Sequence, residues 1–338
     1  MSVKKIVLGV LLSLGSLTIA AEETVKIDYM PEFHGAIRAR YEADLDNDLS
    51  RFQVRNARLS LGGRIAPAIS YFAQVDLCNQ GKMQFLDAWG RLDFTQELYL
   101  QAGQFRMPFG VEPFFAPGNY LFSNRSFIGK QICNYRGTGV KFGYAFSRLP
   151  LTLEAGAFNS AAMEDHTVWS KHFSYAAKAE YRLSEFIFSV GYETIAPYAV
   201  RFNNVDFAMA WKSGRWWLQG EYMNKHYCSI PDLDGTHSWV LFADYSFPVR
   251  FAMFNGASVQ GRYDGMTDNC NGKPDFDGRV TITDAAVNRI TIGGTLTYAY
   301  KKVHADVRVN YEKHFYHSNT IYPKGFDNLL TAELVIKF

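Results

Sequence analysis

Past its first twenty residues the chain contains no apolar run that approaches the roughly 20 residues a membrane-spanning helix needs, which excludes a helical membrane protein. It also lacks a charge of one sign: 35 Lys+Arg face 33 Asp+Glu, a net of +2. The N-terminal segment carries two lysines and no acid, so without it the net is +2 − 2, or zero, and there is no whole-molecule case for nucleic acid as a partner. Cysteine is scarce, with four in 338 residues and no Cys-x-x-Cys spacing. His-Glu-x-x-His and Gly-x-Ser-x-Gly are missing too, so zinc hydrolysis and a serine nucleophile have no motif to rest on. Gly137-Thr138-Gly139 opens a strand pattern and not a helix, so it is no nucleotide cradle. No catalytic residue, cofactor or metal is expected, and the chain does not read as an enzyme.

What the chain has is alternation and aromatic residues, the latter 16% with 27 Phe and 20 Tyr. Ile69, Tyr71, Ala73, Val75 and Leu77 occupy every second place with Ser70, Gln74 and Asp76 between them. Leu86, Ala88, Gly90, Leu92 and Phe94 repeat the pattern, alternating with Asp87, Arg91 and Asp93. Period two is a strand with one greasy and one wet face. A greasy face rich in Leu and aromatics, opposite a face with charges of both signs, is what a barrel in lipid requires, because lipid lies outside and water inside. The first strand spans 33–43, with Arg38 and Arg40 on its wet face; the second, 51–61, changes phase between Val54 and Ala57, which predicts a bulge. Strands over 69–77, 86–94 and 98–103 follow. The pattern then breaks at Met107-Pro108-Phe109-Gly110 and stays irregular, with aromatics and cations, to about Arg136. A loop that long is usually functional. Further strands are predicted over 140–146, 151–157, 173–182, 186–194, 205–212, 215–224, 239–247, 257–264, 290–300, 303–311 and 329–338. The expectation is an all-β chain: one transmembrane antiparallel barrel of about sixteen strands, with short turns and long outer loops in strict alternation.

Residues 1–20 read as a signal peptide, with Lys4 and Lys5, an apolar core over 6–14 and small residues before Glu22, leaving 21–338 as the barrel. The localisation expected is the outer membrane of a Gram-negative cell, with outer-membrane lipid as the partner of the apolar face. Cys78, Cys133, Cys228 and Cys270 all fall in segments placed on the outer side. Four cysteines allow three pairings among which sequence does not choose. The pairing considered is Cys78 with Cys133 and Cys228 with Cys270, since each pair lies in consecutive or nearly consecutive outer loops of an oxidising compartment; free thiols are the alternative.

The blocks FQVRNARLSLGG, ISYFAQVDL, FLDAWGRL, LQAGQFRMPFGVE, SNRSF and YRGTGVKFG, in this order over roughly 33–143, resemble the phosphate-selective porins O and P. The resemblance implies an outer-membrane porin for passive diffusion of small anions such as phosphate. It also implies a long loop that folds into the barrel and narrows it, basic residues on that loop and the nearby wall, and a homotrimer. The positions matching the family are Arg55, Asp87, Arg125 and Arg136. Arg38, Arg40 and Arg58 point to water on periodicity alone, and Arg106 and Lys130 are placed in the loop. Two departures stand out: Arg55-Asn56 replaces a pair of arginines, and the stretch 195–204, where phosphate-specific members are rich in arginine, has only Arg201. The last strand alternates Leu330, Ala332, Leu334 and Ile336 and ends on Phe338, similar to the signal that such barrels present to their assembly machinery.

Plainer readings accompany these. Any wall arginine could be held in a structural ion pair, given the wet-face acids Glu42, Asp76, Asp93, Glu154, Glu180, Glu193, Asp206, Glu221, Asp244, Asp306 and Glu312. The loop aromatics Phe109, Phe114, Phe115, Tyr120, Phe122, Phe127 and Tyr135 could stack on a nutrient or simply pack the loop. The stretch 264–284 lacks calcium-loop spacing and reads as solvated. His314 and His317 could form a rim metal site or be solvated. The other functions in view are a porin without anion preference, a non-conducting barrel adhesin, and an outer-membrane lipase, which would need a Ser/His pair on the lipid-facing wall.

Overall fold

Along the strands the usual distribution of polarity is reversed: Phe207 is 55% and Leu241 61% exposed, whereas Asp264 and Asp206 are 0% exposed. This reversal follows from alternation once the sheet closes, since every second side chain then points inward. The computed structural model describes residues 29–228, 230, 233–317 and 326–338; the segment 1–20 lies outside the described residues.

The strands are β1 Glu32–Asp44, β2 Leu49–Ala66, β3 Ile69–Asn79, β4 Lys82–Asp93, β5 Leu98–Arg106, β6 Arg136–Ala145, β7 Leu151–Phe158 and β8 Ser174–Leu183. They continue as β9 Phe186–Ile195, β10 Phe202–Ser213, β11 Trp216–Tyr227, β12 Thr236–Phe251, β13 Phe254–Met266, β14 Val287–Tyr300, β15 Val303–Tyr316 and β16 Asn328–Lys337. Each pairs antiparallel with its neighbours in sequence, and β1 pairs with β16 from Ala36↔Lys337 to Asp44↔Leu329, closing a barrel of sixteen strands. No strand edge is left open, so every ladder group has a partner in lipid. The closure ends on Gly35, whose N–H and carbonyl exchange hydrogen bonds with Phe338 at 2.8 and 3.1 Å. A side chain at Gly35 would run into the Phe338 ring.

The bulge expected in the second strand lies at Arg55: Arg38 is opposite Asn56 and Ala39 opposite Val54. Strict alternation of short turns and long loops does not hold. The first two outer connections are short, 45–48 and 80–81, and Gln80 (φ 53°) and Gly81 (φ 88°) make a tight left-handed turn. From 107 onward the outer connections are the long ones, while the opposite end keeps tight turns such as Lys301-Lys302. Near that end, outward aromatics cluster: Tyr144 with Phe146, Phe186 with Trp211, and Trp216 with Tyr245. Amphipathic rings at the level of the headgroups form such girdles.

Candidate functional site

The long segment 107–135 leaves β5 at Met107 and turns at Gly110, whose φ of +74° only glycine adopts without strain. Any β-carbon there would also lie 3.0 Å from Met223 and 3.1 Å from Cys133. Lys178 on β8 donates to the Gly110 carbonyl at 2.8 Å, and the Val111 N–H donates to Glu221 on β11 at 2.8 Å. Phe109, Phe122, Ile128, Ile132 and Cys133 then pack on Met223, Val240 and Phe242, apolar residues on the inward face of β11 and β12 where polar ones would be expected. Glu193, Asp206 and Glu221 on this wall are buried.

The second half of the segment meets the opposite wall through its main chain. Four consecutive carbonyls each receive an arginine: Phe122 from Arg308 (3.4 Å), Ser123 from Arg38 (2.6 Å), Asn124 from Arg262 (2.8 Å) and Arg125 from Arg289 (2.7 Å). Carboxylates hold these arginines in turn. Glu333 pairs with Arg38 at 2.6 Å and Arg308 at 3.0 Å, and Asp264 with Arg262 at 3.2 Å and Arg289 at 2.7 Å. The outer connection 267–286 packs on the β10–β11 side of the barrel mouth: Lys225 donates to the Cys270 carbonyl at 2.6 Å, and Phe202, Tyr227 and Cys270 share an apolar cluster.

Between the segment, β1–β6 and the outer ends of β13–β16 lies a cavity of about 400 Å³, whose lining also holds Glu42, Asp284 and Glu312. Of the residues singled out from sequence, Arg38, Arg40, Arg55, Arg58, Arg106, Arg125, Lys130 and Arg136 all line it, joined by Arg51 and Arg289. Asp87 stands behind Arg136 and accepts two bonds from it, at 3.0 and 3.2 Å. The lining cations fall into two groups. Arg38, Arg40 (Glu42, 2.8 Å), Arg51 (Glu42, 2.6 Å), Arg58 (Asp76, 3.2 Å), Arg136 and Arg289 (Asp264, 2.7 Å) are ion-paired. Arg55, Arg106, Arg125 and Lys130 make no ion pair among the described residues. Arg55 rests on the Asn79 amide oxygen at 2.7 Å, and the Asn134 amide oxygen accepts from both Arg106 (2.6 Å) and Arg125 (3.1 Å). The bulge at Arg55 puts it and Asn56 together on the lining, although they are adjacent in a strand. Arg106 is the last residue of β5 and not a loop residue, a difference of one ladder bond at the strand end. Lys130 sits in a single π-helical turn, 128–132; burial, and Arg289 after it, pulls its ammonium below the ordinary lysine range.

Arg262, Arg289 and Arg308 were not among the residues singled out from sequence. Their signal was the inward period of 260, 262 and 264, or of 306, 308, 310 and 312, which marks a side of the sheet but not a contact with a loop more than a hundred residues away. Most loop aromatics pack: Phe109, Tyr120, Phe122 and Phe127 are buried, and Phe115 meets Trp217 edge-on at 5.6 Å. Tyr120 also lies under the guanidinium of Arg125, 4.6 Å from its ring centre.

The disulfides considered from sequence are not formed. All four cysteines are free thiols: Cys133 is buried where the 107–135 segment packs on β11 and β12, Cys270 is buried in another cluster, and Cys228 is exposed. Among the described residues no group of three His, Cys, Asp or Glu is placed to hold a metal ion. His314 stacks on Tyr316 at 6.2 Å and His317 bonds with Asn288. His237 stands on the outward face of β12, where sequence placed no histidine; its partners are Tyr222 at 2.7 Å and Asn224 at 3.2 Å, not a serine. In 264–284, Asp275 accepts the N–H groups of Asp277 and Arg279 in an exposed turn.

Residues 32–182 match the model of the family described as phosphate-selective porin O and P. In fold the barrel is similar to an anion-selective porin from Comamonas acidovorans, with TM-score 0.62, 12% identity, and 91% of this chain and 98% of that chain covered. It is likewise similar to the outer membrane channel DcaP of Acinetobacter baumannii, with TM-score 0.62, 13% identity and 95% and 100% covered. The trimer form of in-vitro folded OmpT of Vibrio cholerae is similar at TM-score 0.59, 10% identity and 91% and 99% covered. No curated protein matches the chain.

Proposed function

We propose, for a chain whose residues 32–182 match the model of the phosphate-selective porin O and P family and whose barrel shares the fold of outer-membrane porins, that it is such a porin and that its passage favours small anions, phosphate among them. The observation that carries this reading is the group of cations without a carboxylate partner, Arg55, Arg106, Arg125 and Lys130, along one cavity. Cations in a narrow low-dielectric lumen raise the local concentration of anions, and several weak sites in succession let an ion leave again. The segment 107–135 supports the same sign. By seating on β11 and β12 it narrows the barrel and covers the side where Glu193, Asp206 and Glu221 stand, so solutes pass along the basic side. Asp87 takes part by setting the orientation of Arg136.

Chemically this is diffusion and not catalysis. Arg201, the one arginine of 195–204, spends its donors on the Phe173 and Thr194 carbonyls at 3.3 Å, so phosphate is held by the cavity cations alone. The assembly proposed is a homotrimer in outer-membrane lipid, supported by the trimeric OmpT, with the aromatic terminus Phe338 presented to the barrel assembly machinery.

The test is the reversal potential of the purified protein in a planar bilayer under a potassium chloride gradient, followed by phosphate titration. A potential of the anion-selective sign, with chloride current blocked by phosphate, is expected. Anion selectivity indifferent to phosphate would keep the sign and remove the solute. Cation selectivity would overturn the reading, and no conductance would favour a closed barrel serving as an adhesin.

A further inference from the structure

Selectivity asks for unpaired cations, yet the most deeply buried arginines of this barrel are paired and face main chain. Arg308 and Arg262 are 2% and 4% exposed, and neither lines the basic cavity. Arg262 donates Nη1 to the Asn124 carbonyl and sets Nε and Nη2 toward Asp264 and Glu312, while Nη1 of Arg308 serves both the Phe122 carbonyl and Glu333. A guanidinium is suited to this because its donors lie in one rigid plane, whereas an ammonium is a point charge on a flexible stem. The opposite polarity is met as well: the Ser123 N–H donates to Asn310 at 2.7 Å, and the Phe127 N–H to Asp264 at 3.1 Å. A main-chain acceptor is blind to side-chain identity and sensitive to where the backbone lies.

We infer that Arg262 and Arg308 are positioning residues that hold the backbone of 122–124 and so set the width of the passage, separately from the cations that set its charge preference. The inference rests on the reading of the chain as a conducting channel. Together with Arg38 and Arg289, which share the carboxylates Asp264, Glu312 and Glu333 with them, they form a belt of four cations and three anions whose charges largely cancel, so their electrostatic reach into the passage is short.

The test is single-channel recording of Arg262→Lys combined with Arg308→Lys. These substitutions keep each carboxylate paired and lose the single N–H that reaches the carbonyl, and electrophoretic mobility with and without heating verifies that the barrel has assembled. The expected result is a changed single-channel conductance and noisier open level, with the reversal potential kept. In the same background, with Cys78→Ser and Cys228→Ser, an oxidised Ser123→Cys, Asn310→Cys pair ties the segment to the wall and returns the conductance towards that of the parent. An unchanged conductance in the assembled lysine variant would overturn the inference, as would a reversal potential that moves with the conductance. If the pair variant does not assemble, Asn310→Leu, which removes one acceptor and no charge, must show the same change in conductance at constant reversal potential, or the inference fails. An absence of current in the parent protein would instead overturn the channel reading itself.

Discussion

Arg136 on β6 grips Asp87 on β4, reaching across the intervening β5, through two hydrogen bonds, Nε to Oδ1 at 3.0 Å and Nη2 to Oδ2 at 3.2 Å. Arg106 and Arg125, which line the same cavity, share only the neutral amide oxygen of Asn134. A bidentate guanidinium–carboxylate pair is the strong form of this contact, and it offsets the charge of Arg136 before any solute arrives. Removing both members should therefore change little: Arg136→Ala with Asp87→Asn keeps the reversal potential near that of the parent. Arg125→Ala has no carboxylate to lose alongside it and shifts the potential toward the cation side, while Asp87→Asn alone shifts it toward the anion side. Bi-ionic measurements on the three variants check the ordering.

Lys130 carries the pH dependence. Its pKa lies below the ordinary value because burial, and then Arg289, disfavour its charged form. The cation exists below that pKa and is lost above it, so its share of the anion preference disappears, as pH rises, earlier than an ordinary lysine would allow. Lys130→Arg, charged throughout, should match the parent below that pKa and keep the preference above it. Reversal potentials recorded as pH is raised give the comparison.

The thiols should respond by burial. Cys133 donates to the Ile128 carbonyl at 3.2 Å, and burial pushes its pKa well up; Cys270 is also raised by burial. A thiol with a raised pKa is less thiolate at a given pH and less nucleophilic in practice. Alkylation of the folded protein should label exposed Cys228 first and leave Cys133 and Cys270 until denaturation. Mass spectrometry should find the same number of labels with and without reductant.

At the seam of the barrel, Gly35→Ala places a methyl group against the Phe338 ring. Overpacking of this kind costs about 1–3 kcal/mol. Urea unfolding in lipid vesicles should show that loss, and it should shrink in the Gly35→Ala, Phe338→Leu double variant, where the ring is absent. Equal losses in both would mean that the strand pairing, and not the ring contact, is what the methyl disturbs.

Much of the barrel is legible in the residues. Alternation from Ile69 to Leu77 or from Leu330 to Phe338 states which side chain faces which way, because period two is a property of the extended chain itself. The phase change after Val54 announced the bulge at Arg55 for the same local reason. Val240 and Phe242 illustrate the limit: they share the inward period of Asp244, where the strand pattern offers an apolar residue no partner, and they receive Phe122 and Ile132. Only the course of the 107–135 segment gives them a partner.

The sequence alone therefore determined the strands, their two faces and the cationic character of residues 38–58 and 106–136. What the tertiary structure decided is which cations are already neutralised, which carbonyls the buried arginines hold, and that the four thiols are apart. The physical reason is range. A strand's alternation is settled between adjacent residues, whereas Arg38 meets Glu333 across 295 positions, a contact that exists only because the last strand closes on the first.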